Sequence, residues 1–214
     1  MKNLSRTFRP AALLFLGSLA IGGVFLKGQG LDPMLGPELA RDRGATISSF
    51  AWPWCQTLHP GGANDGKMNG GYGFHTQNSS AENPQWWQVE LDQVYKIGFI
   101  KVYNRMGGCD DCKDRSRNLQ VLISKNGTDW SAPLTRDPAE GKTFGGFPNA
   151  SGSDGPLQAF AGGAEAKFVR LQLNDGNPLH LDEVEVYEYK APKIIIPVPV
   201  PGMHDLPGLP PGAN

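Results

Sequence analysis

Cysteine is scarce. Three in 214 residues are too few to hold a scaffold together by disulfides, so an apolar core has to do it. An excess of either charge is missing as well. Twenty Lys and Arg stand against 21 Asp and Glu, a formal net charge of −1. That leaves no broad cationic surface for phosphates and excludes nucleic acid as a partner. Histidine is thin: His59, His75, His180 and His204 are scattered, with no zinc-ligand spacing. No serine sits in a nucleophile elbow. No acid pair is set for glycoside hydrolysis apart from the acids read below as metal ligands. The one Cys-x-x-Cys, Cys109–Cys112, lies between strands rather than at the start of a helix, which argues against redox catalysis. These absences together point away from an enzyme.

What is plentiful is turn chemistry. Gly 28 and Pro 18 suit a loop-rich, all-β domain. The chain has room for one core plus tails. Lys2, Arg6 and Arg9 precede an apolar run from Ala11 to Leu26. This is the pattern of an export signal. The sequence beyond it, Leu26-Lys27-Gly28-Gln29-Gly30, offers no clean cleavage site, so residues 1–30 read as a signal peptide or an uncleaved membrane anchor. Either places the rest of the chain outside the cytoplasm. Residues 31–39 read as a spacer and residues 40–189 as the folded domain. From Lys190 to the end, prolines recur at near-alternating positions. Pro cannot donate to a sheet ladder, so residues 190–214 are expected to be a Pro-rich extended or disordered tail.

Inside the domain the hydrophobic period is two. Trp87, Val89 and Leu91 share one parity, as do Ile100 and Val102, Leu119, Val121 and Ile123, and Val169, Leu171 and Leu173. Asn126-Gly127 and Asn174-Asp175-Gly176 supply turns between them. Many short strands at this spacing predict an antiparallel β-sandwich of jelly-roll type. One stretch breaks the pattern. In LHLDEVEVYEY, Leu179 and Leu181 have one parity and Val184 and Val186 the other. The inward face slips by one residue at Asp182-Glu183, which predicts a β-bulge or strand break there. Two adjacent acids on a bulge are candidate ligands. In an oxidising compartment Cys109 and Cys112 can close a small ring, while Cys55 is left as a buried thiol or an intermolecular bridge. Phe50, Trp52 and Trp54 are a sugar-stacking platform, a membrane wedge or loop packing.

Several fragments, in order, resemble the discoidin or coagulation-factor C-type domains: ELARDRGATISS from Glu38, ANDGK from Ala63, WWQVELDQVYKIGFIKVYNR from Trp86, SKNGTDW from Ser124, KFVRLQL from Lys167 and HLDEVEVYEY from His180. The FHT at Phe74–Thr76 and the NRMGGCDDCKDR at Asn104–Arg115 resemble the fucolectin branch. The resemblance covers residues 38–189. It implies an eight-stranded galactose-binding-like sandwich with binding loops at one end, pinned by a structural Ca2+ ion. By that resemblance Asp65 and Glu183 would give carboxylates, and Gly62, Lys67 and Asp182 carbonyls, with a further carbonyl near Tyr72. It also implies a carbohydrate site in which His75, Arg105 and Arg115 donate to sugar oxygens, beside a Cys109–Cys112 disulfide. The family's two cysteines are adjacent; here Asp110 and Asp111 separate them, so that either can neutralise Arg105 or Arg115. The function expected is that of a secreted or envelope-anchored lectin-like module. The alternative is a discoidin-type adhesion domain whose partner is a cell-surface protein or a lipid.

Overall fold

The computed structural model describes residues 35–53 and 59–191. The expected leader, most of the expected tail, Trp54 and Cys55 lie outside the described residues. Seven strands form the domain, all pairings being antiparallel: β1 (Leu35–Glu38), β2 (Ala45–Ile47), β3 (Gln85–Asn104), β4 (Gln120–Ser124), β5 (Thr135–Asp137), β6 (Leu157–Leu173) and β7 (Leu181–Tyr189). The helical elements among the described residues are short 3-10 turns.

The two long strands make the sandwich. Residues Gln85–Glu90 of β3 pair with Phe168–Leu173 of β6, flanked by β2 and β4. Ile97–Val102 of β3 pair with Leu157–Ala164 of β6, flanked by β7 and β5. Along β3 the register shifts twice, between Glu90 and Tyr95 and between Ile97 and Phe99. Such bulges bend a strand and let it pass from one layer to the other. Gly162 and Gly163, both at positive φ, form the second irregularity on β6, a conformation that a side chain would strain.

The expected period-two positions fill the space between the layers. Trp87, Val89, Leu91, Ile100, Val102, Leu119, Val121, Ile123, Val169, Leu171 and Leu173 are all buried, joined by Phe74 and Phe144. Trp87 stacks on Phe74 with ring centroids 6.4 Å apart. The core thereby anchors the loop that carries His75.

Two boundaries differ from expectation. β1 begins within residues 31–39, the stretch read as a spacer, and pairs with the end of β7. Its sequence LGPE is too short to show a period, and Pro37 is tolerated because the strand lies at the sheet edge. The strand count among the described residues is seven rather than eight.

The anomaly in β7 has a direct counterpart. Tyr103 opposes Glu183, but the next residue, Asn104, opposes Leu181. Asp182 is the extra residue, a bulge at the pair where the parity slips. Burial removes the simple in/out alternation, since every residue from Leu179 to Val186 is buried. Beside the bulge, Glu185 accepts hydrogen bonds from the Tyr103 and Tyr187 hydroxyls, each at 2.9 Å.

Candidate functional site

Three segments meet where β3 ends and β7 begins. The loop from His59 to Ser79 is tied to the start of β7 by Gly73 N–H to Leu181 O and Thr76 N–H to Leu179 O. The loop after β3 is tied to the first by Met106 and Gly107 N–H, both donating to Gly70 O. Gly62 and Gly73 are in backbone contact, with no room for a Cβ on Gly73. Side chains on these loops are therefore held by backbone hydrogen bonds rather than by loop length.

His75, Arg105 and Arg115 come within electrostatic reach of one another there. The His75 ring is buried and its Nδ1 lies 2.8 Å from Thr76 O. A carbonyl only accepts, so Nδ1 carries the proton and Nε2 of the neutral ring is an acceptor. Burial, with the charges of Arg105 and Arg115, holds its pKa below the ordinary value despite that carbonyl. The ring is thus neutral at pH 7 and its Nε2 is an acceptor, where the family resemblance suggested a donor. Arg105 donates through Nε to Gly107 O at 2.7 Å and lies over the Tyr72 ring, 4.2 Å from its centroid. Arg115 holds the Asp111 carboxylate, with Nη2 to Oδ1 at 3.1 Å and Nε to Oδ2 at 3.3 Å. Of the two intervening acids, Asp111 therefore takes Arg115, and no carboxylate pairs with Arg105 among the described residues. Cys109 and Cys112 form a disulfide with Cα atoms 5.3 Å apart, closing the loop between the two arginines.

Two further groups at this rim, Tyr72 and His180, were not singled out for it from the sequence, whereas Trp52 was expected as a sugar-stacking platform, a membrane wedge or loop packing. Trp52 is 50 % exposed, with its ring centroid 5.1 Å from that of His75. Tyr72, expected only as a carbonyl donor, packs edge-on to His75 at 5.7 Å while carrying Arg105. His180 lies beneath, 5.1 Å from His75 between centroids, fully buried and with neither ring nitrogen hydrogen-bonded. Burial first, then the charges of His75, Arg105 and Arg115, push its pKa down to about 3. None of these contacts has a sequence signal, because each joins residues from different loops.

The proposed cation ligands lie on the neighbouring side of the same loops. Both bulge acids clasp the 65–70 loop: Glu183 Oε1 accepts Gly66 N–H at 2.9 Å, and Asp182 Oδ2 accepts Gly70 N–H at 2.8 Å. Glu183 Oε2 is buried without a partner. Burial, reinforced by the nearby Asp65 and Glu185 carboxylates, raises Glu183 to about 8 against the opposing Gly66 hydrogen bond. Burial also raises Asp182. Asp65 behaves differently. Its burial is outweighed by hydrogen bonds from the Lys67 backbone and ammonium, at 2.9 and 2.8 Å, and its pKa is lowered. Among the described residues no group of three or more His, Cys, Asp or Glu is gathered as a metal cluster. A calcium site of two carboxylates completed by carbonyls does not need one. The orphaned Glu183 oxygen, near an Asp65 carboxylate that Lys67 pairs and Arg41 also stabilises, fits such an ion.

Comparison with known proteins follows the same lines. Residues 45–184 match the F5/8 type C domain family. Fucolectin-6 of Anguilla japonica is 37 % identical over 76 residues, which are 34 % of this chain and 38 % of that one. The match thus spans well under half the length of that curated relative. The lectin domain of lectinolysin, solved in complex with Lewis B antigen, is 27 % identical, with a TM-score of 0.53 over 71 % of this chain and 96 % of that one. A fucose binding module of Streptococcus pneumoniae is 26 % identical, with a TM-score of 0.52 over 72 % and 96 %.

Proposed function

Because the chain belongs to the F5/8 type C domain family, we propose that it is an extracytoplasmic, calcium-supported carbohydrate-binding module of lectin type, without catalytic activity. What supports this is that His75, Arg105 and Arg115 lie within electrostatic reach of one another, with the Cys109–Cys112 disulfide closing the loop between the two arginines. Arg105 keeps both terminal guanidinium nitrogens as donors, Arg115 keeps Nη1, and one neutral imidazole accepts. A sugar hydroxyl both donates and accepts, so this set matches vicinal hydroxyls and ring oxygen. Trp52, half exposed against His75, offers an apolar face to the C–H side of a pyranose. Its place at the polar rim supports stacking on a ligand over insertion into lipid. The named ligands of the similar structures, fucose and Lewis B antigen, make fucosylated glycans the first class to test.

Calcium would be held by the carboxylates of Asp65 and Glu183 and the carbonyls of Gly62, Lys67 and Asp182. Its contribution is charge: it neutralises buried carboxylates and pins the loops bearing the sugar site. Lys67, which is exposed and engages Asp65, is free to swing into solvent when the ion enters.

The test is a glycan array probed with the full chain, once in calcium and once in chelator. Binding to a defined sugar set in calcium, weakened by chelator and lost in Arg105→Ala, is expected. A folded protein that binds no glycan in either condition would sink the lectin reading. It would transfer the case to a lipid or protein partner met through Phe50 and Trp52.

A further inference from the structure

Arg115, within electrostatic reach of His75, also lines an open cleft of about 360 Å3, within the range of small-molecule sites, roughly 300–1,000 Å3. Its walls come from the 3-10 turn after β3, which supplies Asp111, Asp114, Arg115 and Arg117, and from the β6–β7 loop, which supplies Asp175 and Asn177. We propose that this cleft is a second sugar subsite, which takes the next residue of an oligosaccharide whose terminal unit sits at His75, Arg105 and Arg115. The inference rests on the carbohydrate reading above and names the ligand as an oligosaccharide rather than a single sugar.

Three observations support it. The first is continuity: Arg115, a candidate ligand of the terminal sugar, is itself part of the cleft wall, so one chain of linked rings can meet both. The second is preorganisation. Asp175 is held by Asn118 Nδ2 at 2.9 Å and by the Asn177 N–H at 3.2 Å. Asp114 is held by the Thr143 hydroxyl, and Arg115 by Asp111. Each of these carboxylates keeps lone pairs in reserve. The side-chain amide of Asn177 and the terminal nitrogens of Arg117 bond no described residue. Acceptors and donors already fixed side by side are what adjacent hydroxyls need, since little ordering remains to be done on binding.

The third is the exclusion of other ligands. No aromatic or aliphatic side chain lines the cleft, which disfavours an apolar ligand. Three carboxylates outnumber two guanidiniums there, which disfavours phosphate and sulfate. A neutral, hydroxyl-rich ring is what remains. The Asp111–Arg115 pair, whose acid is one of the two residues inserted between the cysteines, forms part of the cleft wall.

Titration calorimetry on the full chain in calcium, with free fucose and the Lewis b oligosaccharide as probes, tests this. The wild type is expected to bind the oligosaccharide about tenfold or more tighter than fucose. The double variant Arg117→Ala/Asn177→Ala should lose that advantage and bind fucose as before. If the double variant melts early, Arg117→Ala alone, which alters an exposed side chain, should shift the oligosaccharide in the same direction. An unchanged oligosaccharide affinity in a folded variant overturns the subsite, as does an equal loss for both probes. Arg105→Ala separates the two proposals. It should abolish binding of both probes, and if the folded wild type binds neither, the carbohydrate reading falls and this one with it.

Discussion

Single residues set the pH behaviour of this protein, and two of them pull in opposite directions. His180 is held near 3 by burial, whereas in the unfolded chain a histidine titrates near 6.5. Between those values the unfolded chain binds a proton that the native protein refuses, so this residue's contribution to stability falls as the medium is acidified from about 6.5. Glu183 is raised to about 8 from an ordinary 4.5. Between those values the native state holds the extra proton, and stability falls as pH rises. The expected result, from urea titrations in chelator, is a pair of opposite slopes. His180→Phe should gain on the wild type as pH drops from 6.5 to 5.5, by about 1 kcal/mol per unit. Glu183→Gln should gain as pH climbs from 5.5 to 7.5. Parallel curves for wild type and variant would refute the corresponding assignment.

At the scale of elements, loops are positioned by close backbone contact and by one bulge. A Cβ on Gly73 would collide with the backbone of Gly62 and Ala63. Gly73→Ala should therefore separate the 59–66 segment from the His75 loop, costing roughly 1–3 kcal/mol and weakening glycan binding together with calcium binding. A melt unchanged from wild type would show the two loops to be independent. In the sheet, Leu171 is fully buried between the layers, and Leu171→Ala should cost about 2–5 kcal/mol in a denaturant titration while leaving the sugar specificity intact. The bulge at Asp182 matters for a different reason. Without it, Glu183 would point to the opposite face, and the Gly66 N–H would lose its acceptor.

For the whole molecule, the calcium proposal links folding to binding. An ion that binds only the native state adds about 2.7 kcal/mol when present at about 100 times its Kd. Calorimetric melting in calcium should lie above that in chelator, and Glu183→Gln should remove the difference. Equal melting temperatures for the wild type in both buffers would end the proposal. The disulfide acts more locally. It closes a ring of four residues, worth roughly 2 kcal/mol by loop-closure entropy. Cys109→Ser/Cys112→Ser should thus melt somewhat earlier and lose sugar affinity by more than that shift, because Arg115 sits at the end of the released loop. The proposed sugar site, as a single rim, is expected to bind weakly, and presentation in several copies would raise avidity by about 10²–10⁴ without new contacts.

Periodicity written in the chain was enough to determine the sandwich core. Alternating apolar residues at Trp87–Leu91, Leu119–Ile123 and Val169–Leu173 can be buried together only as strands, and the parity slip at Asp182-Glu183 marked the bulge because side-chain direction has a period of two. His75, Arg105 and Arg115 could be proposed as a site through local motifs, since each stands in a fragment that resembles the family. Other features depended on tertiary structure alone. β1 left no mark because four residues at a sheet edge carry no period. The proton on His75 was settled by the Thr76 carbonyl, and the choice of Asp111 over Asp110 as partner to Arg115 by the local 3-10 turn. The tilted ring contacts of Trp52 and His180 with His75 and the second cleft arise between segments distant in sequence. A one-dimensional pattern records which face a residue takes, whereas hydrogen-bond roles, pKa shifts and clefts depend on what lies opposite, and only the folded chain supplies that.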